Sequence, residues 1–163
     1  MPRRRGTTKG NVVNEKESSV YDVVIAGGGP AGLNAALMLG RVRRRVLLAD
    51  SGQPRNAASA AVHGLFSQDG DDPARLRRIA REQLAAYPSV RLADTAVESA
   101  ARAGDGFEVT LAGGETARAR RLLLATGLAD ELPAVEGLAR LCREGCLPRR
   151  DNDQHGPASR PVT

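Results

Sequence analysis

Three glycines near the start of the chain have a spacing that is typical of phosphate binding. Gly27, Gly29 and Gly32 fit the pattern G-x-G-x-x-G within the run Gly-Gly-Gly-Pro-Ala-Gly. The first glycine allows a tight turn, the second lets a phosphate approach the backbone, and the third lets a helix pack closely against a strand. A helix that begins here presents N–H groups without intrahelical partners to an anion. The spacing therefore predicts a site for the diphosphate of a dinucleotide.

An acidic residue follows the glycines at a distance that suits a ribose. Asp50 lies a little over 20 residues after Gly27 and directly after the apolar run Val46–Ala49. A carboxylate at this position can accept hydrogen bonds from ribose hydroxyls, and it would repel the 2′-phosphate of NADP. We expect the next two residues, Ser51 and Gly52, to belong to the same site.

The residues around these motifs predict a β-α-β unit. Residues 21–26 are apolar and β-branched, which is typical of a buried parallel strand. Residues 31–39 are rich in Ala, Leu and Met and predict a helix, and Pro30 is tolerated near its start. The glycine pattern thus follows a strand and opens a helix, which is the context that the motif requires. The alternative is a glycine-rich turn in an α/β core without a ligand.

The rest of the chain predicts one more helix and then strands. Asp72 and Pro73 are residue types preferred at the N-cap and the first position of a helix. We expect this helix to end near Ala86 and to place its arginines on a solvated face. Alternating and apolar runs then predict strands at residues 90–92, 95–102, 107–111, 116–119 and 121–125. The expected fold is α/β, a Rossmann-like parallel sheet with two helices and an inserted antiparallel β-meander.

A long loop at residues 51–72 leaves the carboxyl end of the second strand, where ligands bind in open α/β sheets. Four of its side chains are candidates for contact with a cofactor ring or a substrate: Asn56, His63, Phe66 and Gln68. For His63 the alternative of a solvated loop residue stays open.

The net charge of +5 belongs to the two ends of the chain. Residues 21–139 carry 14 charges of each sign, which argues against the basic face that nucleic-acid binding needs. We expect a disordered basic arm at 1–19, a domain at 20–139 and a disordered tail at 140–163. No apolar run is long enough for a membrane span, and two cysteines make no disulfide framework, so a cytoplasmic location is expected.

The order of the motifs resembles the FAD domain of the thioredoxin-reductase-like pyridine nucleotide-disulphide oxidoreductases. The matching set is the glycine run at 27–32, Asp50, the meander, Leu-Leu-Leu-Ala-Thr-Gly at 122–127, and the stretch from Leu132 to Gly137. The resemblance covers about residues 20–139. It implies FAD as cofactor, NAD(P)H as co-substrate, and a disulfide or similar electron acceptor.

The same resemblance assigns roles to individual residues. Gly27, Gly29, Pro30, Ala31 and Gly32 would hold the pyrophosphate, and Asp50 the adenosine ribose. The backbone of Val97 matches the position that contacts adenine, and Thr126 and Gly127 match a turn close to the flavin. For this last pair, a strand-end turn that needs glycine for its backbone alone stays open.

The sequence also departs from that family. No second G-x-G-x-x-G for NAD(P)H is present, and the family's C-terminal segment that contacts the flavin is missing. Three residues separate Cys142 from Cys146, where similar family members have Cys-x-x-Cys, so no redox disulfide is expected. We therefore expect a truncated FAD domain with no catalytic residue and no metal site of its own. The alternatives are a nucleotide-binding module without turnover, completed by a partner chain or a homodimer, and a non-functional remnant.

Overall fold

The computed structural model describes residues 20–138. The predicted arm at 1–19 and the whole of the predicted tail at 140–163, which contains both cysteines, lie outside the described residues. The elements, in chain order, are β1 (Tyr21–Ala26), α1 (Pro30–Arg41), β2 (Val46–Ala49), a short 3-10 helix (Arg55–Ala58), α2 (Pro73–Leu84), β3 (Val90–Ala93), β4 (Val97–Ala103), β5 (Gly106–Leu111) and β6 (Thr116–Leu124).

The strands form one mixed six-stranded sheet in the order β3-β2-β1-β6-β5-β4. β1 pairs in parallel with β2 and β6, and β2 pairs in parallel with β3. β5 runs antiparallel to both β4 and β6. The predicted α/β fold, with a parallel part, two helices and an antiparallel meander, is confirmed.

β6 is one continuous strand, so the prediction of two separate strands at 116–119 and 121–125 was wrong. Its first half, Thr116 to Ala119, pairs with β5, and its second half, Arg121 to Leu124, pairs with β1. No glycine or proline interrupts the strand at Arg120, so the backbone continues from one partner to the other. β6 thereby joins the meander to the parallel part of the sheet.

The two faces of the sheet are covered by different elements. On one face, the meander packs against the parallel strands through a buried cluster of Val24, Leu47, Ala49, Val109, Leu111, Ala117 and Ala119. On the other face, both helices pack against the strands through Ile25, Leu33, Ala36, Val46, Leu48 and Leu84. Because neighbouring strand residues point to opposite faces, Val24 and Ile25 belong to different clusters. The apolar character of β1 and β2 is thus explained by burial on both faces.

Helix α2 begins at a capped end, as the sequence predicted. The Asp72 carboxylate accepts hydrogen bonds from the N–H groups of Ala74 at 3.0 Å and Arg75 at 3.1 Å, and Pro73 occupies the first turn. The helix ends at Leu84, slightly before the predicted Ala86.

Replacing Asp72 with Ala should lower the free energy of unfolding by about 1 kcal/mol, because two N–H groups at the helix start lose their acceptor. Urea unfolding would measure the change. Glu131→Ala is the control, because Glu131 is exposed and lies outside any helix or strand. An Asp72 variant as stable as the Glu131 variant would contradict the capping role.

Candidate functional site

A cavity of about 660 Å³ opens where the carboxyl ends of β1, β2 and β6 meet. Its volume is in the range of small-molecule and cofactor sites. Five parts of the chain line it: the glycine turn, the residues after β2, the short 3-10 helix, one residue of α2 and the segment after β6. In that order, the lining residues are 27–30, 50–51 with 53–54, 55–57, 77, and 125–128 with 130 and 132. The site therefore lies at the sheet edge where ligands bind in open α/β folds.

Two glycines of the turn are required by the fold itself. Gly27 has a φ of +113°, and a side chain on it would clash with the backbone carbonyl of Ala125 at the end of β6. A side chain on buried Gly32 would clash with the carbonyl oxygen of Gly27. These glycines let α1 and the segment after β6 lie directly against the end of β1.

Gly29 is different, because the fold does not require a glycine there. Its φ of −74° suits any residue, and no heavy atom outside its chain neighbours lies within 4 Å of the point where a Cβ would be. Gly29 is the N-cap of α1, and no side chain caps this helix end. It also lines the cavity. The open space therefore lies at a helix N-terminus, which fits the close approach of a phosphate to the backbone.

Asp50 is held in place by two hydrogen bonds. Its Oδ1 accepts from the N–H of Gly52 at 2.9 Å, and its Oδ2 accepts from Nη1 of Arg81 at 3.1 Å. The side chain is only 13% exposed, and it packs so closely over Gly28 that a Cβ on that glycine would clash with it. Each carboxylate oxygen has a second lone pair, so Asp50 can still accept hydrogen bonds from a ligand.

The arginines of α2 do not all lie on a solvated face, and that prediction was wrong for two of them. Arg81 bridges Asp50 and Asp94, and Arg77, one helical turn earlier, lines the cavity. Two others face solvent and pair with neighbours four residues away, Arg75 with Asp71 and Arg78 with Glu82. Residues four apart share a helix face, which explains why Arg77 and Arg81 both turn toward the site.

A further ion pair joins two distant parts of the cavity wall. Nε and Nη2 of Arg55 each donate a hydrogen bond of 2.8 Å to the carboxylate of Asp130, which is 75 residues away in sequence. The hydrogen bond, together with the negative charge of Asp130, raises the pKa of Arg55. The pair links the short 3-10 helix to the segment after β6. Sequence reasoning missed it, because neither residue has a local pattern that points to the other.

The structure brings together most, but not all, of the predicted site residues. Gly27, Gly29, Pro30, Asp50, Ser51, Thr126 and Gly127 line the cavity, whereas Ala31, Gly32, Gly52 and Val97 do not. Gly27 and Gly32 shape the turn, and Gly52 donates its N–H to Asp50. Gly127 has a φ of +69°, so its backbone alone accounts for a glycine there.

Val97 is the first residue of β4 and packs against the buried cluster beneath the meander. The N–H of Asp50 donates to the carbonyl of Ala93 at 2.9 Å. Val97 is four positions after Ala93, a reach of at most about 14 Å. Val97 does not line the cavity, and this short connection ties its strand to the residue that pairs with Asp50.

Of the loop candidates, Asn56 lines the cavity, and His63, Phe66 and Gln68 do not. Nδ1 of His63 lies 3.6 Å from the Asp69 carboxylate, and Phe66 is 96% exposed.

Within residues 20–138, no group of three or more His, Cys, Asp or Glu side chains could hold a metal ion. In the same part of the chain, no helix is both long and apolar enough to cross a membrane.

The sheet order, the glycine turn before α1 and the acid after β2 define a Rossmann-like α/β fold. The sequence profile of the pyridine nucleotide-disulphide oxidoreductases matches residues 21–155. The chain therefore belongs to this oxidoreductase family, within which it is thioredoxin-reductase-like. The predicted resemblance is confirmed, and the match runs past the predicted boundary at residue 139.

Individual relatives agree with this family. A probable thioredoxin reductase of Arthroderma benhamiae is 39% identical over 72% of this chain and 31% of its own length. A thioredoxin reductase of Claviceps purpurea is 36% identical over 85% of this chain and 45% of its own length. The crystal structure of an oxidoreductase from Agrobacterium tumefaciens superposes with a TM-score of 0.71 and 41% identity, over 74% of this chain and 41% of that one. The chain thus spans less than half the length of the relatives that it matches.

Proposed function

We propose that this chain binds FAD in the cavity at the glycine turn, as the flavin-binding part of an enzyme that moves electrons from NAD(P)H to a disulfide or similar acceptor. The observation that carries the proposal is the open space at Gly29, which faces the cavity at the start of α1 and stands beside the oriented carboxylate of Asp50. Membership of an oxidoreductase family that in general uses FAD and NAD(P) supports it.

Each part of the site has a role in this proposal. The backbone at Gly27, Gly29, Pro30, Ala31 and Gly32 holds the pyrophosphate, and Asp50, with Ser51 and Gly52, holds the adenosine ribose. The backbone of Val97 contacts adenine. The flavin end lies toward Thr126 and Gly127, where Leu128 and Leu132 supply apolar surface to the cavity. When bound, FAD supplies the electron-transfer chemistry, and the protein positions it.

The NAD(P)H site and the remaining wall of the flavin site are assigned to polypeptide other than residues 20–138. The second half of β6 pairs only with β1 among the described strands. Leu124 at its end and Leu128 after it are 70% and 71% exposed. A partner chain or a second copy that covers this surface would complete the site. A cytoplasmic location, inferred from cysteine usage, stays part of the proposal.

A nucleotide-binding module without turnover is the second candidate function. It is favoured by the position of the glycine turn and Asp50, which line one cavity within the described residues. A non-functional remnant is the third reading, and it predicts aggregation through the exposed apolar surface beside β6.

Purified protein separates these readings. A yellow chain whose colour bleaches with NADH or NADPH supports an active oxidoreductase, nucleotide binding without bleaching supports the binding module, and aggregation supports the remnant. We expect weak FAD binding and no turnover by the chain alone. FAD that stays bound through gel filtration would contradict this expectation.

Replacing Asp50 with Ala should weaken FAD binding by roughly 10-fold to 100-fold, because a charged acceptor of ribose hydroxyl hydrogen bonds is lost. Fluorescence titration with FAD measures the effect. Asp94→Ala is a matched control, because it also removes a carboxylate partner of Arg81, but one that is 82% exposed and does not line the cavity. Equal FAD affinity of the two variants would contradict a ribose-binding role for Asp50.

A further inference from the structure

We propose that Arg77 binds the diphosphate of the dinucleotide, as a cation that faces the glycine turn from the other side of the cavity. This inference rests on the proposed function, because it assigns a ligand group to a residue of the same site. Neither the glycine motif nor the acid after β2 points to Arg77.

The first observation is an unsatisfied nitrogen. Nε of Arg77 is buried and has no hydrogen-bond partner. Among residues 20–138, Arg77 also forms no ion pair. A buried donor on a charged group is costly to leave without an acceptor, and such groups in native proteins are normally matched by water, an ion or a ligand. The guanidinium of Arg77 therefore has no acceptor among the described residues, although its residue lines the cavity.

The second observation is the pairing of the other arginines around it. On α2, Arg75, Arg78 and Arg81 each contact a carboxylate. In the cavity wall, Arg55 is paired with Asp130. Both acids that line the cavity, Asp50 and Asp130, thus have an arginine partner already. Arg77 is thus the one arginine of the described cavity lining that has no carboxylate partner.

The third observation is the position of Arg77. It lines the same cavity as residues 27–30 of the glycine turn. It lies one turn before Arg81, which is anchored to Asp50, so the helix face that carries both arginines is fixed against the site. A guanidinium donates several N–H groups in a fork that matches phosphate oxygens. A diphosphate has two phosphate groups, and the backbone at Gly29 and the side chain of Arg77 can each engage it.

The test uses two matched variants of the full chain. Arg77→Met removes the charge and keeps an apolar stem, and Arg78→Met makes the same change at the adjacent residue, which is exposed and paired with Glu82. Binding of FAD, ADP and adenosine is measured by titration, and thermal unfolding is measured without ligand. Arg77→Met should weaken FAD and ADP binding by roughly 10-fold or more, leave adenosine binding unchanged, and leave the melting temperature unchanged or raised. Arg78→Met should leave all three affinities unchanged.

A lysine variant and the comparison of ADP with adenosine distinguish loss of a phosphate contact from a general structural defect. Arg77→Lys, which keeps a charge, should restore part of the ADP affinity, and it replaces the Met variant if that variant does not fold. ADP affinity that is the same in Arg77→Met as in the unmodified chain, or equal losses for ADP and adenosine, would overturn the inference alone. No binding of FAD or ADP by the unmodified chain would overturn the proposed function together with it.

Discussion

Replacing Gly29 with Asp is expected to stabilise helix α1 and to abolish FAD binding. Gly29 is the N-cap of the helix, its backbone is extended, and the space around its missing Cβ is open. An aspartate fits there without a clash and accepts hydrogen bonds from the first N–H groups of the helix. It should raise the free energy of unfolding by about 0.5 kcal/mol. The same carboxylate fills the space assigned to the diphosphate and repels it, so FAD affinity should fall on the order of 100-fold or more.

The substitution should raise the free energy of unfolding while it lowers FAD affinity, so general destabilisation cannot explain the loss of binding. Asn34→Asp is the matched control, because it adds the same charge to the same helix at an exposed position outside the cavity lining. Thermal unfolding and FAD titration of both variants give the two quantities. A Gly29→Asp variant that binds FAD as tightly as the Asn34→Asp variant would show that the diphosphate does not lie at Gly29.

Replacing Gly32 with Ala is expected to destabilise the fold by about 3 kcal/mol, the upper part of the usual range for overpacking. A Cβ at this position would clash with the carbonyl oxygen of Gly27, which is backbone and cannot rotate away. Relief requires α1 to move away from the end of β1, and that movement opens the buried cluster containing Ile25 and Leu33. The loss exceeds the gain of about 1 kcal/mol in helix propensity that Ala brings over Gly.

Gly40→Ala in the same helix is the control for propensity. A Cβ on Gly40 would approach side-chain atoms of Val90 at 2.9 Å and Tyr87 at 3.1 Å, and no backbone atom is among its closest neighbours. These side chains have more freedom to adjust, so this substitution should cost clearly less. Urea unfolding ranks the two variants. A Gly32→Ala protein as stable as the Gly40→Ala protein would contradict the close contact between α1 and the turn.

The features that could be predicted from the sequence are those in which the chemistry is local. The glycine turn, the acid after β2 and the cap at Asp72 each depend on residues a few positions apart, so their patterns survive without tertiary information. β1 and β2 are buried on both faces of the sheet, and such strands are recognisable from their continuous apolar sequence. These local signals were sufficient to predict the fold class.

The features that could not be predicted depend on pairing across the fold. The continuity of β6 follows from its two different partners, β5 and β1, and the composition of the strand does not reveal a change of partner. The Arg55–Asp130 pair joins residues 75 positions apart. Arg77 and Arg78 are neighbours of the same type, and only the packing of α2 turns the first toward the cavity and the second toward solvent. Identical side chains thus acquire different roles from tertiary structure alone.

An equilibrium titration of the purified chain with FAD, followed by flavin fluorescence, determines whether a flavin binds at the glycine turn. We expect saturable binding of one FAD per chain, weak in the chain alone, lost in Gly29→Asp and retained in Asn34→Asp. Absence of saturable binding, or binding that Gly29→Asp leaves intact, would contradict a flavin site at the glycine turn.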